Sequence, residues 1–95
     1  MKRYFFLFLT IFLATPFAKA DEVTHQLGNA AYAIRWARLE GANAKSPEHY
    51  RKAVELYRQA QIDFENRELK KAVLLSQESR TEARLALKEM GVLHE

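Results

Sequence analysis

The chain has 95 residues and no cysteine, with 15 Lys and Arg against 12 Asp and Glu, a formal charge of +3. That length holds a single domain. The missing thiols exclude disulfide staples, thiolate metal sites and acylation of a cysteine.

Residues 1–20, MKRYFFLFLTIFLATPFAKA, predict a secretory signal peptide. Lys2 and Arg3 form a basic start, Tyr4 to Ala14 carry no charge, Pro16 breaks the run, and Ala18-Lys19-Ala20 supplies a small-x-small cleavage pattern. Cleavage is expected after Ala20, leaving one helical domain over 21–95. The rival is an uncut anchor, but a spanning helix needs about 20 mostly apolar residues, and the uninterrupted apolar stretch here is 11 residues, Tyr4 to Ala14, with a proline soon after. Cleavage removes Lys2, Arg3 and Lys19 and leaves acids and bases in equal number. The basic character is therefore a property of the precursor, and nucleic-acid binding loses its electrostatic footprint. The expected location is a bacterial periplasm or the exterior, with no stable membrane insertion after cleavage.

Good helix formers dominate the rest, and no alternating strand pattern occurs. The expected fold is all-α, with three helices. The first covers about 22–40, where Leu27, Ala30, Ile34, Ala37 and Gly41 recur at spacings of three and four. Ala31, Ala33 and Trp36 widen that face, and Gly41 and Asn43 supply the stop.

The second helix is expected over about 47–65. Ser46 reads as its N-cap, Pro47 as its first residue and Glu48 as an acid in the first turn, with Lys52 placed to pair with Glu48. Tyr50, Ala53, Tyr57, Ala60 and Phe64 form a stripe alternating large and small, broadened by Leu56. Core is a more economical reading of such a stripe than a ligand pocket.

Asn66 is expected to end this helix in a left-handed conformation. The third helix covers about 68–90, closed by Gly91. Ala72, Ser76, Ser79, Ala83, Ala86 and Met90 form a seam of small residues, flanked by Leu69, Val73, Leu75 and Leu87. Helices two and three should form a long antiparallel hairpin with the first helix packed across it. The small seam could alternatively serve a homodimer.

Chemistry is sparse. His25, His49 and His94 lie on different segments without metal-ligand spacing and read as surface residues. Ser46, Ser76 and Ser79 are accounted for by capping and packing, and the carboxylates are interleaved with bases. No catalytic residue, metal or cofactor is expected. Possible partner contacts are Trp36, flanked by Arg35 and Arg38, and the row Arg80, Arg84 and Lys88 at i, i+4, i+8. Arg67, Lys70 and Lys71 form a second basic group. Glu65, Glu68, Glu78, Glu82 and Glu89 nearby make ordinary solvated faces the competing reading.

The motifs Ala31-x-x-Ile34-x-x-Ala37, Glu40-Gly41-Ala42, Ser46-Pro47-Glu48-x-Tyr50-x-x-Ala53, Leu56-x-x-x-Ala60-x-x-x-Phe64 and Lys71-Ala72-x-x-x-Ser76-x-x-Ser79-x-x-x-Ala83 resemble a family of short exported bacterial helical proteins. That family is catalogued as "domain of unknown function 4398". The resemblance implies a cell-envelope protein of unestablished biochemistry. Members are often lipoproteins, sometimes fused to a peptidoglycan-binding domain, and this chain departs in lacking the lipidation cysteine. A second resemblance is to a tetratricopeptide hairpin, through Leu56, Ala60 and Ala72, with Arg67 where that repeat has glycine; one repeat cannot bury its own faces. The combined expectation is a non-catalytic interaction or structural module that docks on an envelope protein or self-associates. The alternative is a small-ligand or metal carrier built in a helical bundle.

Overall fold

The computed structural model describes residues 19–94. The signal peptide expected over 1–20 lies outside the described residues except for Lys19 and Ala20. The described chain is helical, with α1 at Ala20–Leu39, α2 at Ala42–Lys45, α3 at Pro47–Glu65 and α4 at Leu69–Glu89. Three long helices stand where three were expected, with α2 as an additional single turn.

α1 starts two residues earlier than the apolar pattern implied. Lys19 is extended at its N-cap and gives no side-chain cap, while Asp21 and Glu22 in the first turn complement the helix dipole. The helix ends at Gly41, whose φ of +90° is a left-handed conformation that glycine adopts without a Cβ penalty. Its N–H donates to the Arg38 carbonyl at 3.0 Å, and its own carbonyl accepts from Lys45 at 2.9 Å. One residue thus closes α1 and opens α2.

Pro47 is the first residue of α3, as its missing N–H allows. Ser46 corrects the sequence reading. It makes no side-chain cap; its ψ of 61° lies well outside the extended geometry of a capping residue. Its buried hydroxyl instead donates to Glu89 Oε1 of α4 at 2.6 Å. A hydrogen bond to a carboxylate is stronger than one between neutral groups.

The left-handed residue after α3 is Arg67, at φ +62°, and not Asn66. Arg67 N–H donates to the Phe64 carbonyl at 3.0 Å, and Glu68 N–H donates to the Asp63 carbonyl at 2.8 Å. These two bonds form a Schellman closure. The reversal falls one residue later than expected, and Leu69 and Phe64 then both pack against the buried cluster of Val23, Ala72 and Val73. Gly91, at φ +78°, closes α4 in the same way, with Val92 N–H donating to the Leu87 carbonyl at 2.9 Å. Val92 also packs against the buried cluster that contains Leu87. The expected bounds of 68–90 become Leu69–Glu89.

The core is a column of small side chains. At the hairpin end Val23, Ala72 and Val73 meet Leu27, Phe64 and Leu69. In the middle Ala33, Ala53 and Ala83 meet, one from each long helix. At the other end Ala37, Ala42, Ala86 and Leu87 are covered by Trp36, Tyr50, Met90, Val92 and Leu93. This pairing of ends makes α1 parallel to α4 and antiparallel to α3. α1 lies mainly along α4, with a lesser contact to α3. Every alanine and serine of the α4 seam is fully buried. Small side chains let helix backbones come close, and Ser79 shows how close: its hydroxyl reaches the backbone carbonyl of Ala53 on α3 at 2.6 Å. Ser76 satisfies itself on the Ala72 carbonyl, one turn back. The aromatic residues Tyr50, Tyr57 and Phe64 are only half-buried and pave the flanks.

Candidate functional site

The hairpin brings together five polar side chains that sequence spacing kept apart. His49 and Lys52 lie one turn apart at the start of α3, just after Ser46. Glu82 and Glu89 lie two turns apart on α4. Because the helices are antiparallel, Ser46 reaches Glu89 while His49 faces Glu82. His49 Nδ1 lies 2.7 Å from Glu82 Oε2, and Nε2 lies 3.6 Å from Glu89 Oε2. Lys52 Nζ lies 3.4 Å from Glu82 Oε1. Two expectations are corrected here. His49 is part of a clasp between helices and not an isolated surface histidine. Lys52 reaches across to Glu82, where the sequence suggested Glu48.

Glu82 is 14% exposed in its side chain. Burial opposes its ionisation, but the hydrogen bonds from His49 and Lys52 and the charge of both outweigh burial. They hold the carboxyl below the ordinary carboxylate range. Both ring nitrogens of His49 face carboxylates, so the ring is occupied. Among the described residues no group of three or more His, Cys, Asp and Glu side chains could hold a metal ion.

The sign of the pH dependence follows from the lowered value. The ionised carboxylate is favoured by folding, so its contribution is complete above the unfolded carboxylate pKa of about 4.3. It is lost as pH falls through the lower folded value. Glu82→Gln is expected to cost about 1 kcal/mol at pH 7. Urea unfolding of both proteins should show that gap shrink steadily below pH 5. A gap that widens with acidification contradicts the clasp.

Arg80, Arg84 and Lys88 line one open groove of about 270 Å³ with Thr81, Leu85 and Leu93. Arg84 also has an interaction within the fold. Leu93 arrives from the tail after α4 and packs on the same buried cluster as Trp36. Trp36 itself is half-buried against that cluster and is no part of the groove. Arg67, Lys70 and Lys71 are exposed at the turn, where Lys71 lies 3.8 Å from Glu68, a surface pair of little energetic weight. His25 and His94 are exposed.

Asp63 was not anticipated. Its side chain is buried in the last turn of α3, at 5% exposure, in line with the apolar stripe. Oδ1 accepts from Gln59 Nε2 at 3.1 Å, while Oδ2 has no hydrogen-bond partner among the described residues. A buried acid at the negative end of a helix is destabilising. The signal that could have found it is its spacing, since Asp63 continues the four-and-three recurrence of Leu56 and Ala60 on one helix face.

No helix among the described residues is long and apolar enough to cross a membrane. No family model, curated protein or solved structure matches the chain. The two resemblances read from the motifs stand on those motifs alone.

Proposed function

We propose that this chain is an exported, non-catalytic helical module of the bacterial cell envelope, which docks on another envelope protein or on a second copy of itself. One observation carries the reading. The helices turn alanine and serine inward and leave large apolar residues outside, in pairs that share a helix face. Tyr32 and Leu39 on α1, two turns apart, are 69% and 77% exposed; Leu74 and Leu85 on α4, three turns apart, are 53% and 38% exposed. Isolated surface leucines are ordinary, but aligned ones are suited to a partner surface. Export is supported by the character of residues 1–20, and the balanced charge that cleavage leaves suits binding by shape more than by net charge.

The test is site-specific photo-cross-linking in cells that export the chain. A photoreactive residue replaces Leu39, Leu74 or Leu85 in turn, with exposed Gln61 as the control. Discrete adducts are expected from the apolar positions, of twice the chain mass if it self-associates. Adduct patterns no different from those at Gln61 contradict the proposal.

A further inference from the structure

We infer that folding of α1 gates the cut after Ala20: a signal peptidase opens the Ala20–Asp21 bond only until Val23 is buried against α4. This rests on the export reading above and adds its timing.

The decisive observation is where the bond lies. Ala20 and Asp21 are the first two residues of α1, while Lys19 just before them is extended, at φ −100° and ψ 158°. A peptidase grips extended chain on both sides of the bond it cuts, and nicking accordingly concentrates in exposed, irregular segments. Here the backbone is engaged in the helix. The Lys19 carbonyl accepts from the Val23 N–H at 3.1 Å, and the Ala20 carbonyl accepts from the Thr24 hydroxyl at 3.1 Å. Ala20 also borders an open cavity of about 330 Å³ with Phe64, Glu65, Arg67 and Leu69, so the hairpin turn crowds one side of the bond.

Residues 19–22 are all exposed, and an exposed first turn by itself frays at little cost. Val23 is what holds it. Val23 is fully buried in one cluster with Ala72 and Val73 of α4, with Leu27, Phe64 and Leu69 packed against them. Extending the chain on both sides of the bond pulls on this anchor, three residues beyond Ala20. The same placement lets the cut spare the fold. Water adds across the amide as its C–N bond breaks; Ala20 keeps the carboxylate, and Asp21 keeps the amine, which takes up a proton. None of residues 19 and 20 is buried. The new first residue, Asp21, is of a type suited to an N-cap, and its Oδ1 already accepts from the Glu22 N–H at 3.1 Å. The new ammonium lies at the positive end of α1, where the Asp21 and Glu22 carboxylates offset it. A chain that folds before it is cut keeps its leader.

The substrate is the full uncut chain, made without export and held in a mild non-ionic detergent, to which a purified bacterial signal peptidase is added. A peptide of residues 1–27 is the unfolded reference, because it carries the start of α1 without the helices that α1 packs on. Mass spectrometry follows the product that begins at Asp21. The folded chain should be cut at least about ten times more slowly than the peptide. Val23→Ala should speed cutting of the chain at least about threefold, by raising the population with the first turn open, and leave the peptide unchanged. Val23→Thr, which puts a hydroxyl in the same cluster, is the second variant and should act in the same direction. Leu87→Ala weakens the cluster at the opposite end of the bundle and should leave the rate within about twofold. Equal rates for chain and peptide overturn the inference and leave export standing, as does a chain whose rate neither Val23 variant changes. Acceleration by Leu87→Ala as large as by Val23→Ala also overturns it, since cutting then waits on unfolding of the whole bundle. A peptide that is not cut after Ala20 overturns the signal reading together with the inference.

Discussion

Ala83→Leu is expected to lower stability by about 3 kcal/mol, the upper end of the range for overpacking a core. Ala83 meets Ala33 and Ala53 in the middle layer, and each comes from a different long helix. Overpacking a well-packed core costs about 1–3 kcal/mol when flexible neighbours can shift. Here the neighbours are methyl groups attached directly to two other helix backbones, so relief requires whole helices to separate. Separation also stretches the 2.6 Å bond from the Ser79 hydroxyl to the Ala53 carbonyl one turn away. A domain of this size has about 4–11 kcal/mol in total, so the loss is a large fraction. Urea unfolding followed by far-ultraviolet circular dichroism measures it. Ala83→Gly serves as a comparison, since it costs about 1 kcal/mol through helix propensity alone. A leucine variant no worse than the glycine variant refutes close packing at this layer.

Leu87→Ala is expected to cost about 3 kcal/mol, within the range for a leucine truncated in a core. Leu87 is the largest fully buried side chain of the described residues, in a core made mostly of alanine. It also anchors the tail. Val92 and Leu93 donate their N–H groups to its carbonyl at 2.9 and 3.2 Å and pack on its cluster. Truncation keeps those backbone bonds but removes the apolar surface beneath the tail. Trp36 packs on the same cluster and is the only tryptophan. Its fluorescence should therefore shift to the red in the folded variant, together with the lowered urea midpoint. Leu74→Ala is the control: Leu74 is 53% exposed, and its loss should cost under about 1 kcal/mol. Similar costs at the two positions contradict the assigned core.

The seam was legible because it is periodic. Ala53 and Ala60 on α3, and Ala72, Ser76, Ser79, Ala83 and Ala86 on α4, recur at three and four, and all are fully buried. Gly41 and Gly91 were legible because a left-handed residue after a helix favours glycine. The polar clasp was not legible, since its partners are far apart in the chain. Ser46 and Glu89 are 43 residues apart, and His49 and Glu82 are 33 apart. Only the hairpin register brings them together, and that register is set at the turn, where Arg67 takes the conformation expected of Asn66. Once Ala53 is placed against Ser79, each turn back along α3 answers a turn forward along α4, and His49 falls opposite Glu82. The row Arg80, Arg84 and Lys88 was visible in the sequence, as were the acids interspersed with it. What separates them is the helix itself and the clasp that holds Glu82 and Glu89 toward α3.

The docking surface we propose depends on the meeting of three helices at one alanine layer. If α1 lay elsewhere, the faces that carry Tyr32, Leu39 and Leu85 would change. Alanine-methyl-labelled protein allows this to be measured directly, through nuclear Overhauser contacts between methyl groups. Mutual contacts among Ala33, Ala53 and Ala83 are expected. Contacts between Ala53 and Ala83 alone, with Ala33 seeing neither, would contradict the three-helix core and the surface built on it.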